Sequence, residues 1–94
     1  MDENQLNRSL QSIGMKCFID YYDKFCDDKI SNIDLIELLM KNEGYKESGC
    51  KTRVSQSRRI IKAGMSVVVL KKIVKSSRLE DSTLKKAQEL LDSL

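Results

Sequence analysis

Proline is absent from these 94 residues, and glycine occurs only at positions 14, 44, 49 and 64. Without proline, no residue inside a helix lacks a backbone donor or clashes with the carbonyl one turn back. Helices can therefore run wherever the apolar spacing supports them, and here it supports them along most of the chain. Leu6, Leu10 and Ile13 form a first short stripe; after Gly14 the phase changes to Met15, Phe18, Ile19, Tyr22, Phe25 and Cys26, spaced three and four apart as one helical face. Gly14 reads as the break between them. Asp27, Asp28 and Lys29 form a polar link to Ser31, a natural N-cap with Asp34 three residues on. From Ile33 to Met40, six apolar side chains spread over most of the helical circumference, with Asp34, Glu37 and Lys41 confined to one strip. This segment is expected at the centre of the core.

Residues 43–47 read as a turn, Gly44 being the left-handed helix stop, and Ser48 is placed to cap the helix that follows. There Cys50, Val54, Ser57 and Ile61 share a stripe that ends at Gly64. Val67 to Val74 is rich in β-branched residues and could form a buried strand. Helix is preferred, because Val67, Leu70 and Val74 keep helical spacing and a lone strand would have nothing to pair with. A last helix starts near Asp81 or Ser82 and should bury Leu84, Ala87, Leu90, Leu91 and Leu94. The expected fold is all-α, a single compact domain over residues 1–94 with five or six short helices.

A chain of this length buries only about 60–65% of the surface its unfolded form exposes, so the core must be thin. The 40% apolar and 33% charged composition is that of an ordinary globular domain. No apolar run approaches the roughly 20 residues of a membrane span, and the acidic start lacks the basic and apolar regions of a secretory signal. The chain reads as cytoplasmic, with no membrane partner. Cys17, Cys26 and Cys50 are an odd count without a C-x-x-C pair, and histidine is absent. Neither a disulfide framework, a metal site nor a cofactor is expected.

Charge is distributed unevenly. Residues 1–47 hold ten acids against six bases, whereas residues 48–94 hold eleven bases against four acids. Between Ser48 and Leu79 there are nine bases and no Asp or Glu at all. Such a stretch, patterned as amphipathic helix, is the electrostatic footprint of a surface that meets polyanions. Projected at about 100° per residue, Lys51, Ser55, Arg58 and Lys62 fall in one strip beside the apolar stripe. Thr52, Gln56 and Arg59 take the middle of the solvent face, and Arg53 projects from the opposite flank beside Ile60. Cations on the shoulders would reach phosphates, and the central polar groups would reach base edges. Lys71, Lys72 and Lys75 on the next segment would add backbone contacts.

The stretch Ser31 to Gly64 resembles the helix-turn-helix of DNA-binding proteins: an apolar helix, the turn glycine Gly44, and a second helix carrying Lys51, Thr52, Arg53, Ser55, Arg58 and Arg59. Met40 stands where that family usually has a small residue, and the turn extends to as many as six residues. The resemblance implies that residues 49–63 enter a groove of DNA, with DNA preferred to RNA. The alternative is an adaptor module docking an acidic protein on the same basic face, with self-association into a homodimer through exposed apolar residues such as Val68. The plainest reading is that the bases only solvate the helix, as Lys and Arg usually do; what argues against that is the lack of the Glu–Lys pairs that a merely solvated helix interleaves.

Other candidate groups favour structural roles. Phe18, Tyr21, Tyr22 and Phe25 could stack nucleic-acid bases, but aromatics at helical spacing more often make core. Cys50 sits near a helix start beside Lys51, where a thiol pKa falls, yet it also lies on the apolar stripe. No acid has a histidine or lysine partner at a telling spacing, and there is no glycine-rich phosphate loop, so no enzymatic activity is expected.

Overall fold

The computed structural model describes all 94 residues. They form seven helices and no strand: α1 (Glu3–Ile13), α2 (Met15–Asp20), α3 (Tyr22–Cys26), α4 (Asn32–Glu43), α5 (Glu47–Lys62), α6 (Ser66–Val74) and α7 (Asp81–Ser93). The all-α expectation holds, including the helix at residues 67–74. The extra helix arises at Tyr21, whose backbone (φ −114°, ψ 13°) leaves the helical region between α2 and α3. The kink brings both Phe18 and Tyr22, edge to face at 5.4 Å, and Tyr21 and Phe25, at 6.4 Å, into the interior. These four aromatics are core, and Cys26, at the end of the same stripe, is exposed.

Local chemistry explains where the helices start and stop. Asp2 accepts from the Gln5 amide at 2.8 Å while Gln5 Oε1 accepts from the Asp2 amide, a reciprocal capping box for α1. Gly14, at φ 85°, takes the α1–α2 corner in a region that side chains other than glycine's rarely enter. Ser31 Oγ accepts from the Asp34 amide at 3.1 Å and caps α4 as the spacing predicts. Gly44 ends α4 in the left-handed region (φ 68°, ψ 18°) and donates to Met40 O. The link to α5 is three residues, Gly44 to Lys46, shorter than the six the sequence allowed, because α5 begins at Glu47 with Lys46 as its N-cap. Ser48 is therefore inside the first turn and does not cap.

The largest correction concerns the centre of the molecule. α4 was expected there, but only Leu35 and Leu39 are buried on it; Ile33 is 68% exposed and Met40 39%. The central helix is α5, which packs against α1, α3 and α4. Cys50, Val54, Ser57 and Ile60 are its buried residues, Ile60 displacing the expected Ile61 to half-buried. α6 and α7 pair with each other, and α7 also packs on α2. α7 reaches the core through Thr83 and Ala87; Leu84, Leu90 and Leu91 are half-buried, and Leu94 is 61% exposed. A small residue at the contact lets α7 approach closely, so its leucines lie along the flanks.

Eighteen buried apolar residues form one cluster to which every helix contributes. Leu39 is fully buried in it, and Leu38 is only half-buried. Leu39→Ala should cost about 2–5 kcal/mol in urea denaturation, the usual range for a buried leucine, and Leu38→Ala distinctly less. Equal losses would mean that α4 is enclosed on both sides.

Candidate nucleic-acid interface

With α1 on one side of α5 and α4 on the other, a narrow stripe of α5 beyond its first two exposed residues, Glu47 and Ser48, reaches solvent: Lys51, Thr52, Ser55, Arg59 and Lys62, each exposed. The structure divides the bases expected on this helix into two groups. Arg53 and Arg58 are drawn into the protein, and Arg59 and Lys62 are left to solvent.

Arg58 is held by five hydrogen bonds. Its Nε donates to Phe25 O (3.2 Å), Nη1 to Asn32 Oδ1 (2.6 Å), and Nη2 to Ile30 O (2.7 Å), Asp27 O (3.0 Å) and, more weakly, Lys24 O (3.4 Å). These carbonyls belong to the last turn of α3 and to the link into α4; Lys24 O and Asp27 O also accept from the Asp27 and Ile30 amides, whereas Phe25 O and Ile30 O have no backbone donor. A guanidinium offers five donors in a fixed plane and cannot accept, which suits this cluster. Arg58 leaves the helix in the strip it shares with Lys51, Ser55 and Lys62, but its guanidinium is spent on the fold.

Arg53 lies over the ring of Tyr45, 3.8 Å from its centroid, and its Nε is buried without a partner. Gly49 makes room for it: a Cβ there would come within 2.8 Å of the Arg53 Nη1. Gln56 is half-buried, its Oε1 accepting from Ser9 Oγ at 2.7 Å across the α1–α5 contact. That bond leaves the amide nitrogen of Gln56 as a donor. Thr52 Oγ1 donates back to Ser48 O at 3.2 Å. Lys51 pairs with Glu47 at 3.1 Å, one turn back and one residue outside the acid-free stretch. On α6, Lys72 reaches Glu3 of α1 at 3.1 Å, while Lys71 and Lys75 are exposed. Arg59, Lys62, Lys71 and Lys75 make no ion pair.

Two shallow grooves flank the exposed stripe and share Arg59. One lies against α1 and is lined by Gln5, Arg8, Ser9, Ser12 and Gln56 with Arg59 and Met1. The other lies at the start of α4 and is lined by Asn32, Ser55, Arg58, Arg59 and Lys62. Neither contains an acid. Arg8 and Asn32 were missed in the sequence. Arg8 sits in the acidic half, and only the packing of α1 along α5 brings it beside Arg59; Asn32 follows a cap residue and carried no signal of its own.

The cysteines are all unpaired. Burial pushes the Cys17 thiol up to about 11 and raises Cys50 as well, the nearby Arg53 only partly opposing this. For Cys50, burial outweighs the expected helix-start effect. Because Cys17 holds its proton more tightly when folded, this contribution to stability is present below a pH of about 9 and is lost as the pH rises through about 11.

Arg58→Ala should lower stability by at least about 1.5–3 kcal/mol, the range for one hydrogen bond to a charged group, whereas Arg59→Ala should leave the Tm unchanged. Equal Tm values for the two variants would show that the Arg58 contacts contribute nothing. Thiol counting with a bulky aromatic disulfide at pH 8 should register Cys26 alone in the native protein and all three cysteines after unfolding; prompt reaction of Cys17 or Cys50 would contradict their burial.

Compared with family models, curated proteins and solved structures, the chain finds no match, so its function has to be argued from its own residues.

Proposed function

We propose that this protein binds nucleic acid, duplex DNA in preference to RNA, through the face formed by the exposed stripe of α5 and the flanking part of α1. The observation that carries the reading is the pair of acid-free grooves meeting at Arg59, with Arg8 and Lys62 on either side. Three cations without an acid among them form a field that attracts phosphates, and the surrounding Ser, Gln and Asn side chains offer neutral hydrogen bonds to phosphate or base edges. From Lys51 to Lys62 the stripe is about 16 Å long at 1.5 Å per residue, enough to follow a few consecutive phosphates. α5 lies between α1 and α4, so this face meets a duplex as a shallow surface, with backbone contacts dominating. Gln56 and Ser55 are the side chains placed for base contact. The three-residue link between α4 and α5 has the length found in the helix-turn-helix family, which favours the same reading.

Arg8, Lys51, Arg59 and Lys62 would engage about four phosphates, giving a slope of log affinity against log salt of roughly −3 to −4 for duplex DNA. Arg8→Ala, Arg59→Ala and Lys62→Ala should each flatten that slope by about one unit without changing the melting temperature. Titrations with duplex DNA, single strands and structured RNA at two salt concentrations provide the check. Absence of binding to all three at low salt would refute the proposal and favour the adaptor reading, in which the same cations dock an acidic protein.

A further inference from the structure

On the side of α5 away from Arg8, its first turn and α4 form a third and chemically different groove of about 300 Å³. Ile33, Ile36 and Met40 provide its apolar wall, and Glu37, Glu47 and Lys51 its charged rim. Lys51 is already paired with Glu47 at 3.1 Å, so the rim keeps an excess acid in Glu37. Ile33 is the most exposed large apolar residue of the protein, at 68%. A short helix with a pair of apolar residues followed by bases would complement this groove in both shape and charge.

The protein carries such a helix. Val67 and Val68 of α6 are 39% and 40% exposed, and Lys71 lies four and three residues beyond them on the same helical face, with Lys75 one turn further. Lys72, between them, turns away to Glu3, which leaves Lys71 and Lys75 as the free cations of this face. α4 packs chiefly on α5 and α6 chiefly on α7, so knob and groove sit on different elements.

We propose that the chain self-associates head to tail, the Val67–Val68 face of α6 on one copy seating in the α4–α5 groove of the next. Val68 packs against Ile33 and Met40, and Lys71 and Lys75 meet the rim at its excess acid, Glu37. Pairing either surface with itself would oppose acid to acid or base to base, which is unfavourable across an interface. The contact is therefore heterologous. Each copy keeps one free knob and one free groove, so association continues past a dimer. Lys51 is common to the groove rim and the proposed nucleic-acid stripe, but neither docking surface includes Arg8, Arg59 or Lys62, so an assembled row would leave those three cations open on every member.

Sedimentation equilibrium without nucleic acid tests this independently of the binding function. The weight-average mass of the wild type should rise continuously with concentration and pass that of a dimer. Val68→Asp and Ile33→Asp, each at an exposed position, should both be monomeric when alone. Mixed in equal amounts they should form a 1:1 dimer and stop there, because each retains one intact surface. Should either variant melt below the wild type, Lys71→Glu and Glu37→Lys replace them, with the same expectation of weakened association alone and restored association in the doubly reversed chain. A wild type that stays monomeric at the highest concentration, a plateau at the dimer, or a mixture that fails to associate would each overturn the proposal; a monomeric wild type would leave the groove to a basic amphipathic segment of another protein.

Discussion

Arg58 completes a part of the chain that satisfies itself only in part. α3 has only five residues, and the link from Asp27 to Ser31 makes few backbone hydrogen bonds of its own, so a run of carbonyls gathers at the end of α3 and in the link, among which Phe25 O and Ile30 O have no backbone donor. One guanidinium from α5 takes four of them, together with the side chain of Asn32 at the start of α4. The end of α3, the link and the beginning of α4 are thereby set relative to α5. Everything on the polar face depends on that placement, since the groove beside Lys62 is bounded by Asn32 and Arg58 themselves. A lysine could not replace it, having three donors about one point where the site needs a planar fork.

The same economy shapes the surface. Of the five bases on α5, Arg58 is consumed by the fold, Arg53 lies across Tyr45, and Lys51 is paired with Glu47. Arg59 and Lys62 remain, and α1 adds Arg8. The charged face is therefore smaller than the count of bases suggests, and it is built from both halves of the chain. The acidic half does little to cancel it by direct pairing: one ion pair, Lys72 to Glu3, joins α6 to α1, and none involves Arg59 or Lys62.

Helix positions were legible because periodicity, caps and glycines act over a few residues. Ser31 as a cap, Gly44 as a left-handed stop and the breaks at Gly14 and Gly64 follow from local sterics and hydrogen bonding, and the β-branched run at Val67 is helical as its spacing implied. Burial was less legible. Six apolar residues around α4 suggested a central helix, yet Ile33 and Met40 face outward. α5, with eleven polar side chains against four apolar ones, takes the centre because its four buried residues, among them the small Ser57 and Cys50, let three helices approach it. Hydropathy counts apolar groups but does not say how closely a neighbour can come.

The sequence by itself determined the fold class, most helix boundaries and the presence of an acid-free basic stretch, because each is a property of neighbouring residues. Tertiary structure decided which bases are available. Two arginines five residues apart on one helix, Arg53 and Arg58, were drawn to an aromatic ring and to a set of carbonyls that lie far away in the chain or across a turn. Arg59, adjacent to Arg58, faces two open grooves and makes no ion pair. The physical reason is that a side chain's local spacing fixes the direction in which it leaves the helix, whereas its partner is fixed by whichever segment the packed core brings into that direction.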